Sequence, residues 1–365
     1  MMKAVVINKF VDSYDDVIVS NVPRPVPKDD ELLIQVKAAG VNFVDTLYAR
    51  GKHQNNKSHV KPPFTLGLEF SGVIISVPSP SSSSTPCPFK PGDRVLGDFS
   101  GAYAEYITYP SALAAASLHH IPQTWSFAES AGLAATLPVS YGALTAAVPN
   151  GLQPGTKVLV HAAAGGLGLA AVQIAAALGC TVIGTAGSPE KCRIAERFGA
   201  TACVDYTANP KWWEEILDLT GPGKPGVDVV FDSVGLVDLS LKCIAHRGKV
   251  LVVGFAGRDA GSMEGVKMNK VLLKQVSLIG YRYGESLRRY PEEKARIWDS
   301  LWPLIRSGKI KPVVYDRAYL GLESVPAALV DIASRKVWGK AVIQVDPADD
   351  GGNGEKADRS QMSRL

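Results

Sequence analysis

The chain has 365 residues and a formal net charge of +4, and 46% of its residues are hydrophobic while 20% are charged. This composition excludes a fibrous or wholly disordered protein, and the length predicts two lobes, each with its own core. The positive charge forms no basic block with interleaved aromatics, so we expect no nucleic-acid interface, and no apolar run is long enough to predict a membrane span.

Cysteine usage and the first residues predict where the protein works. Five cysteines are scattered along the chain, at Cys87, Cys180, Cys192, Cys203 and Cys243. They form no Cys-x-x-Cys pair, which argues against a disulfide framework or a thiolate metal site and indicates a reducing compartment. Residues 1–10 lack the apolar region of a signal peptide. We therefore expect a soluble, cytoplasmic protein without a bound metal.

The first third of the chain alternates short apolar stretches with turn residues. Strands are predicted at residues 3–8, 16–19, 31–39, 69–77, 93–95 and 102–107. Together they indicate an antiparallel β-rich lobe. An insert at residues 78–88, rich in proline and serine, is predicted to be a flexible loop because it has too little apolar surface to bury.

From about residue 128 the pattern changes to helices alternating with buried strands. A helix is predicted at 128–148, and strands at 157–162, 181–185, 202–204, 227–232, 249–254 and 277–280. Uninterrupted apolar strands with helices between them are typical of a doubly wound parallel sheet, a Rossmann-type α/β domain.

The last part of the chain is expected to return to the first lobe. Helices are predicted at 291–307 and 325–335, and a final strand at 339–345. The predicted domains are therefore 1–127 together with 284–345 for the β-rich lobe, and 128–283 for the cofactor-binding domain. Residues 346–365 are polar and without periodicity, so we expect a disordered tail.

The strongest local signal lies at residues 157–179, where a buried strand leads through a small-residue turn into a helix closed by glycine. The residues predicted to approach a pyrophosphate at the helix N-terminus are Gly165, Gly166, Leu167 and Gly168. Ala163 stands where the usual Gly-x-Gly-x-x-Gly pattern has its first glycine. The alternative is a tight turn that only allows helix and strand to pack, but the surrounding strand–turn–helix context favours a dinucleotide site.

The next predicted strand indicates which dinucleotide is used. An NAD enzyme places an acid at the end of this strand to bind the ribose hydroxyls, but here the chain continues Ala186-Gly-Ser188-Pro-Glu190-Lys191. The Ser188 hydroxyl and the Lys191 ammonium suit a 2′-phosphate, and Glu190 is expected to point away from it. NADPH is thus favoured over NADH, unless Lys191 is merely a solvated helix charge.

These motifs, with others in the same order, resemble those of a known family over residues 1–345. The others are Ala38-Ala-Gly-Val-Asn-Phe-Val-Asp45, Pro63-Phe-Thr-Leu-Gly-Leu-Glu-Phe-Ser-Gly72, Pro91-Gly-Asp-Arg-Val95, Gly101-Ala-Tyr-Ala-Glu-Tyr106, Val229-Val-Phe-Asp-Ser-Val-Gly235 and Gly339-Lys340. The chain resembles the zinc-independent medium-chain dehydrogenase/reductases, in particular the zeta-crystallin-like NADPH:quinone oxidoreductases, where alanine also replaces the first glycine of the turn. This resemblance implies a β-rich GroES-like catalytic domain beside the Rossmann domain.

The resemblance also implies what the chain lacks. Zinc-dependent members carry a Cys ligand at the position of Asn42 and a His ligand at the position of Leu68, and they have a further lobe of four closely spaced cysteines. Leucine cannot ligate zinc, and the cysteine lobe is missing from this sequence. We therefore expect no zinc and no alcohol oxidation through a zinc alkoxide.

Site residues follow from the same resemblance, each with a structural alternative. The carried-over cofactor contacts are Asn42 in the nicotinamide pocket, Thr136 on the cofactor, Tyr206 beside the 2′-phosphate, and Ser233, Phe255 and Ala256 bordering the nicotinamide. Tyr206 could instead close a strand end, and Phe255 could belong to a core. Asp45 is a catalytic candidate that could equally cap the turn after Asn42.

Without a metal, the expected mechanism is hydride transfer from NADPH to a quinone or another electron-poor α,β-unsaturated carbonyl held in an apolar cleft. Asn42 and Tyr48 are the candidate hydrogen-bond donors. Several relatives carry their pocket tyrosine at the position of Leu47, and a shift of one residue turns a helical side chain by about 100°, which favours quinones over acceptors that need an acid. The alternatives are a 2-enoyl thioester reductase and an NADPH-binding sensing protein with little turnover.

Two further expectations concern assembly and location. The resemblance implies a homodimer joined along the edge strand at 277–280, where an open edge would otherwise promote aggregation. The chain ends Ser363-Arg364-Leu365, a conservative variant of the Ser-Lys-Leu peroxisomal signal. This predicts peroxisomal import, with a chance ending on a cytosolic enzyme as the alternative.

Overall fold

The structure, a computed structural model, describes residues 1–57, 59–79, 87–145, 148, 151–223, 225–258 and 265–346. Most of the predicted loop at 78–88 and the tail with its tripeptide lie outside the described residues. Within them, no helix is both long and apolar enough to cross a membrane.

The first lobe is built mainly from antiparallel strands. Its elements are β1 (Met2–Ile7), β2 (Val19–Val22), β3 (Glu31–Val41), α1 (Phe43–Ala49), β4 (Phe64–Thr65), β5 (Glu69–Ser76), β6 (Arg94–Asp98), β7 (Tyr106–Pro110), α2 (Ser111–Ser117) and β8 (Leu118–His120). One sheet has the strand order β2-β1-β4. In a second sheet β3 pairs with both β5 and β7, and β6 joins β5 to β8.

The second lobe alternates helices and strands. Its elements are α3 (Phe127–Ser130), α4 (Leu137–Thr145), β9 (Lys157–Val160), α5 (Gly166–Ala177), β10 (Thr181–Ala186), α6 (Pro189–Arg197), β11 (Ala202–Asp205), α7 (Trp212–Leu219), β12 (Val227–Asp232), α8 (Val237–Cys243), β13 (Ile244–Val252), α9 (Met268–Lys274) and β14 (Ser277–Gly280). Its strands form a parallel sheet in the order β11-β10-β9-β12-β13-β14. This is the strand order of dinucleotide-binding domains, with the switch point between β9 and β12, so the predicted Rossmann-type sheet is confirmed.

The chain then returns to the first lobe. The remaining elements are α10 (Tyr283–Arg289), α11 (Glu292–Arg306), β15 (Tyr319–Leu320), α12 (Val325–Ala333) and β16 (Ala341–Gln344). Strand β16 lies antiparallel to β3, with Ala341 opposite Val41 and Gln344 opposite Ala38. This register brings the residue before β16, Lys340, to the end of β3 where Asn42 follows.

One of the apolar cores extends from the first lobe into the second. Buried Leu96 of the first lobe, Phe127 of α3, Val160 of β9 and Leu301 of α11 belong to one apolar cluster. The exact domain boundaries at 127/128 and 283/284 stay a prediction: α3 packs against β3, β5 and β16 of the first lobe, whereas α4 packs against α5 of the second and α11 packs against both α4 and α2.

Some predicted elements were wrong in detail. The single helix predicted at 128–148 is two helices, α3 and α4. Ser126 and Glu129 cap the start of α3 reciprocally, and Pro138 lies in the first turn of α4, where its missing N–H costs no hydrogen bond. The strand predicted at 16–19 begins only at Val19, because residues 14–16 form a 3-10 turn capped by the Ser13 hydroxyl.

Candidate active site

Asn42 occupies the turn between β3 and α1, in extended backbone geometry. Its N–H donates to Asp45 Oδ2 at 2.8 Å, and the Tyr103 hydroxyl donates to the same oxygen at 2.8 Å. Asp45 is fully buried, and its Oδ1 has no hydrogen-bond partner among the described residues. These contacts give Asp45 the capping position that was the structural alternative for it. It holds the turn in this position, and a direct catalytic role for it stays a prediction.

Burial governs the acidity of Asp45. Loss of water raises the pKa of this carboxyl to about 7, and the hydrogen bonds from Asn42 and Tyr103 oppose that rise. A carboxyl in such a position favours the protonated form more strongly in the folded protein than in the unfolded chain.

The Asn42 side chain belongs to a buried triangle with Glu69 and Lys340. The Lys340 ammonium donates to Asn42 Oδ1 at 2.7 Å and to Glu69 Oε1 at 2.5 Å, and Asn42 Nδ2 donates to Glu69 Oε1 at 2.8 Å. An ammonium only donates and a carboxylate only accepts, so the orientation of the amide is fixed. One N–H of Nδ2 is left without a recorded partner among the described residues, and it can donate to a bound oxygen.

The dinucleotide turn closes against the end of β9. Gly165 precedes α5 as its N-cap residue, and a Cβ on Gly168 would lie 2.1 Å from the Ala162 carbonyl oxygen, so only glycine fits there. Ala163 is accommodated because the nearby residue of β10 is Gly184, where a Cβ would lie only 2.7 Å from the Ala163 Cβ. The glycine missing from the motif is thus supplied by the neighbouring strand, and backbone N–H groups at the N-terminus of α5 remain accessible to a pyrophosphate.

Thr136 and Leu167 lie at the same turn. Thr136 is buried just before α4, and its hydroxyl donates to the Gly132 carbonyl at 2.9 Å. Its methyl group would be 3.4 Å from a Cβ on Gly166. The Leu167 carbonyl accepts a hydrogen bond from the Ser140 hydroxyl at 3.0 Å, which ties the first turn of α5 to α4.

Three of the predicted ribose-side residues lie together where β10 ends. The Ser188 hydroxyl caps α6 by accepting from the Lys191 N–H, and the Tyr206 hydroxyl would be 2.6 Å from a Cβ on Gly187. The Lys191 ammonium donates to the Arg335 carbonyl at 2.5 Å. Glu190 is exposed on the first turn of α6. This end of the sheet therefore carries a hydroxyl, a phenol and a cation, and its nearby acids are Glu190 and Asp205, whose Oδ1 accepts from Thr207.

The loops after β12 and β13 carry the other three predicted residues. Ser233 is buried and its carbonyl accepts from the Ala256 N–H at 3.0 Å, whereas Phe255 is 54% exposed and therefore not a core residue. Sequence reasoning missed Asp232, which holds this loop. Its carboxylate accepts from the N–H groups of residues 234–236 at 2.7 to 2.9 Å.

Tyr48 packs in the core of the first lobe, away from the Asn42 triangle in its recorded contacts. Its hydroxyl accepts from Asn55 Nδ2 at 2.9 Å, and Asn55 in turn accepts from Arg282 at 2.7 Å. Burial raises the pKa of the Tyr48 phenol. Its hydrogen bond is to Asn55 rather than to Asn42, and its role as a substrate donor stays a prediction.

Glu69 and Lys340 are the functional candidates that sequence reasoning missed. Both appear in the family motifs, yet neither was assigned a role. The sequence did indicate a buried ion pair, because each is a charged residue in an otherwise apolar stretch at a strand end, and charged residues are rarely buried unless paired.

Comparison with known proteins agrees with this architecture. Models of the alcohol dehydrogenase GroES-like domain and of the zinc-binding dehydrogenases match residues 28–123 and 166–299. Quinone oxidoreductase-like protein 2 of Bos taurus is 36% identical over 330 residues, which cover 88% of this chain and 87% of the relative.

Comparison with solved structures also agrees with the two-domain architecture. Escherichia coli quinone oxidoreductase complexed with NADPH superposes with a TM-score of 0.75 at 28% identity, covering 94% of this chain and 99% of that one. CurK enoyl reductase superposes with a TM-score of 0.78 at 25% identity, over 94% and 99% of the two chains.

A GroES-like lobe joined through Lys340 to the glycine turn of a parallel dinucleotide-type sheet defines an oxidoreductase of the medium-chain dehydrogenase/reductase class. Within that class, the shared identity over most of its length shows that the chain belongs to the zinc-independent quinone oxidoreductase family. The family predicted from the sequence motifs is thereby confirmed.

Asp45 predicts a specific pH dependence of stability. Its pKa is about 7 in the folded protein against an ordinary 3.8, so the folded state binds the proton more tightly and stability falls as pH rises from about 4 to about 7. Asp45→Asn retains an oxygen for both accepted hydrogen bonds and removes this titration. The free energy of unfolding of the variant, relative to wild type, should therefore rise by a few kcal/mol over that range in urea titrations. Parallel pH profiles for the two proteins would show that Asp45 does not titrate there.

Proposed function

We propose that the protein catalyses the NADPH-dependent reduction of quinones or related electron-poor α,β-unsaturated carbonyls without a metal. When bound, NADPH supplies a hydride from its dihydronicotinamide ring. The observation that carries the proposal is that Lys340 packs beside Gly166 of the glycine turn and donates to the Asn42 amide, whose second N–H has no recorded partner among the described residues and can orient a carbonyl or carboxamide oxygen. In this arrangement Gly165, Gly166 and Gly168 hold the pyrophosphate.

The preference for the 2′-phosphate rests on the group at the end of β10. The Lys191 ammonium uses one N–H on the Arg335 carbonyl, so it keeps two for a phosphate beside the Ser188 and Tyr206 hydroxyls. Relatives of this fold have been solved as NADPH complexes, which supports the same choice. Thr136, Ser233, Phe255 and Ala256 are proposed to line the cofactor towards its nicotinamide end.

Removing the cation tests this assignment. Lys191→Ala should weaken NADPH by about 1–3 kcal/mol, the range of a charge-assisted hydrogen bond, and leave NADH almost unchanged. Fluorescence titrations with both cofactors measure the difference, with Lys211→Ala as a control because that lysine is exposed at the start of α7. Equal affinity of the wild-type protein for NADPH and NADH would refute the phosphate site.

The absence of a metal follows from the chemistry of the residues at the two ligand positions. Leu68 has no ligating atom, and the Asn42 side chain is already engaged on both its oxygen and its nitrogen. We expect purified protein to contain no stoichiometric zinc and to keep full activity in chelator. Elemental analysis is the measurement, and about one zinc bound per chain would contradict the prediction.

The acceptor is proposed to be of the quinone type, because the side chains of the described site can donate hydrogen bonds but are weak proton donors. The pKa of the Tyr48 phenol is raised by burial, which makes it a weaker acid, and its hydroxyl is held by Asn55. Reduced quinones are stabilised by aromaticity and need little proton donation, whereas an ordinary enolate gains from a nearby acid.

Steady-state NADPH oxidation with quinones, alkenals and 2-enoyl-CoA thioesters, compared by kcat/KM, tests the proposed function. We expect quinones to be the best acceptors. Preference for the enoyl thioester would instead support an enoyl reductase, an alternative favoured by the similarity to CurK enoyl reductase. NADPH binding without turnover of any acceptor would indicate a sensing protein.

A homodimer is proposed along β14. This strand is the last in its sheet, and the neighbouring helix α9 leaves Leu272 77% and Leu273 74% exposed. Pairing of two β14 edges would complete the sheet and cover these leucines. Light scattering at micromolar concentration should give twice the mass of the chain, and Leu272→Asp with Leu273→Asp should give a monomer. A monomeric wild type would exclude the dimer.

A further inference from the structure

Lys340 is held at both of its ends by parts of the site that belong to different lobes. Its preceding residue, Gly339, donates its N–H to the Ala164 carbonyl in the dinucleotide turn at 2.8 Å and forms a parallel bridge with Gly165. Its ammonium, at the other end of the side chain, contacts Asn42 and Glu69 in the GroES-like lobe.

The side chain between these ends is tightly enclosed. A Cβ on Gly166 would lie 3.0 Å from Lys340 Cδ, and a Cβ on Gly132 would lie 2.8 Å from Lys340 Cγ. Lys340 is only 3% exposed. A side chain packed this closely on several sides has few alternative rotamers. A displacement of the dinucleotide turn therefore also moves the Lys340 ammonium, because the methylene groups between them cannot change rotamer to compensate.

A second connection runs parallel to the first. The other oxygen of Glu69, Oε2, accepts from the Ala135 N–H at 2.8 Å, and the next residue, Thr136, lies against Gly166. The carboxylate is therefore fully hydrogen-bonded, and both of its oxygens lead back to residues that contact the phosphate-binding turn.

We propose that Lys340 is a positioning residue that couples occupation of the dinucleotide turn to the orientation of the Asn42 amide. Binding of the pyrophosphate fixes residues 164–166, which fixes Gly339 and the Lys340 stem, and the ammonium then fixes the Asn42 carbonyl oxygen. The amide N–H is thereby aimed before an acceptor arrives. The catalytic consequence rests on the proposed function, whereas the coupling itself does not.

The coupling is tested with 2′-phospho-ADP-ribose, which carries the pyrophosphate and 2′-phosphate but has no nicotinamide ring to touch Asn42. Its effect on residues 42–49 is read by hydrogen exchange and mass spectrometry of the full-length protein. In wild type, saturating probe should slow exchange of this segment several-fold. No change in wild type would overturn the proposal, whether or not any variant folds.

The matched variants are Lys340→Met with Glu69→Gln, and the control is Lys3→Met with Glu323→Gln, which makes the same substitutions in an exposed ion pair. Removing both charges avoids leaving one buried without a partner. The buried-pair variant should bind the probe, as shown by titration, yet lose the protection of residues 42–49, while the control keeps it. Protection that persists in the buried-pair variant would overturn the role of Lys340.

Kinetics separate positioning from a purely structural role. In the buried-pair variant, kcat with the best acceptor should fall about 10- to 100-fold, while KM for NADPH should change by less than about threefold. The reason is that a wrongly oriented Asn42 amide slows the reaction without weakening the binding of the cofactor. An unchanged kcat in a buried-pair variant that still folds would mean that the ion pair only stabilises the fold. If wild type reduces no acceptor, the proposed function fails but the exchange experiment still decides the coupling.

Discussion

The buried ion pair between Lys340 and Glu69 lies where the GroES-like lobe contacts the dinucleotide turn of the second lobe. Taking two charges out of water is costly, and the cost is recovered only when every polar atom finds a partner in good geometry. Here both oxygens of Glu69 are occupied, by Lys340, by the Asn42 amide and by the Ala135 N–H. Lys340, Glu69 and Asn42 belong to the GroES-like lobe, and Ala135 lies in the segment that leads into α4, so displacement of that segment would leave one oxygen of the buried carboxylate without its donor. The pair therefore favours one arrangement of the active site over its alternatives.

The parallel sheet determines where that site lies. In the order β11-β10-β9-β12-β13-β14, the chain leaves β9 and β12 in opposite directions, and a crevice opens at their carboxyl ends. The glycine turn after β9 and the Asp232-capped loop after β12 both lie at this edge. His161, just after β9, adds rigidity there, because its two ring nitrogens lie 2.9 Å from the Thr185 and Ser240 hydroxyls. Burial lowers the pKa of His161, which favours the neutral ring in this apolar setting.

Two buried aspartates show how similar groups are used differently. Asp232 accepts three backbone N–H groups and so holds a loop without a spare oxygen. Asp45 accepts two hydrogen bonds on one oxygen, while the other has no partner among the described residues. Hydrogen bonds to a carboxylate favour its charged form and burial opposes it. For Asp45, burial outweighs its two hydrogen bonds, and the pKa of its carboxyl is raised.

The sequence by itself determined the class of fold and the cofactor turn, because both are written in local patterns. Apolar strands alternating with helices require a covered parallel sheet, and glycines between a strand and a helix allow the approach of a phosphate. Even the ribose-side group, from Ser188 to Tyr206, lies on two adjacent strand ends and could be placed in this way. The break between α3 and α4 was missed because apolar residues continue across it, although Pro138 marks the start of α4.

Only the tertiary structure decided which residues complete the site around Asn42. Lys340 and Glu69 are 271 positions apart, and they meet because β16 pairs with β3 in one particular register. The compensation of Ala163 by Gly184 likewise depends on the pairing of β9 with β10. The burial of Asp45 and the hydrogen bond between Tyr48 and Asn55 likewise exist only in the folded chain, and the catalytic roles of Asp45 and Tyr48 stay predictions. Contacts between distant segments depend on strand register and packing, and these are properties of the folded chain rather than of any stretch of its sequence.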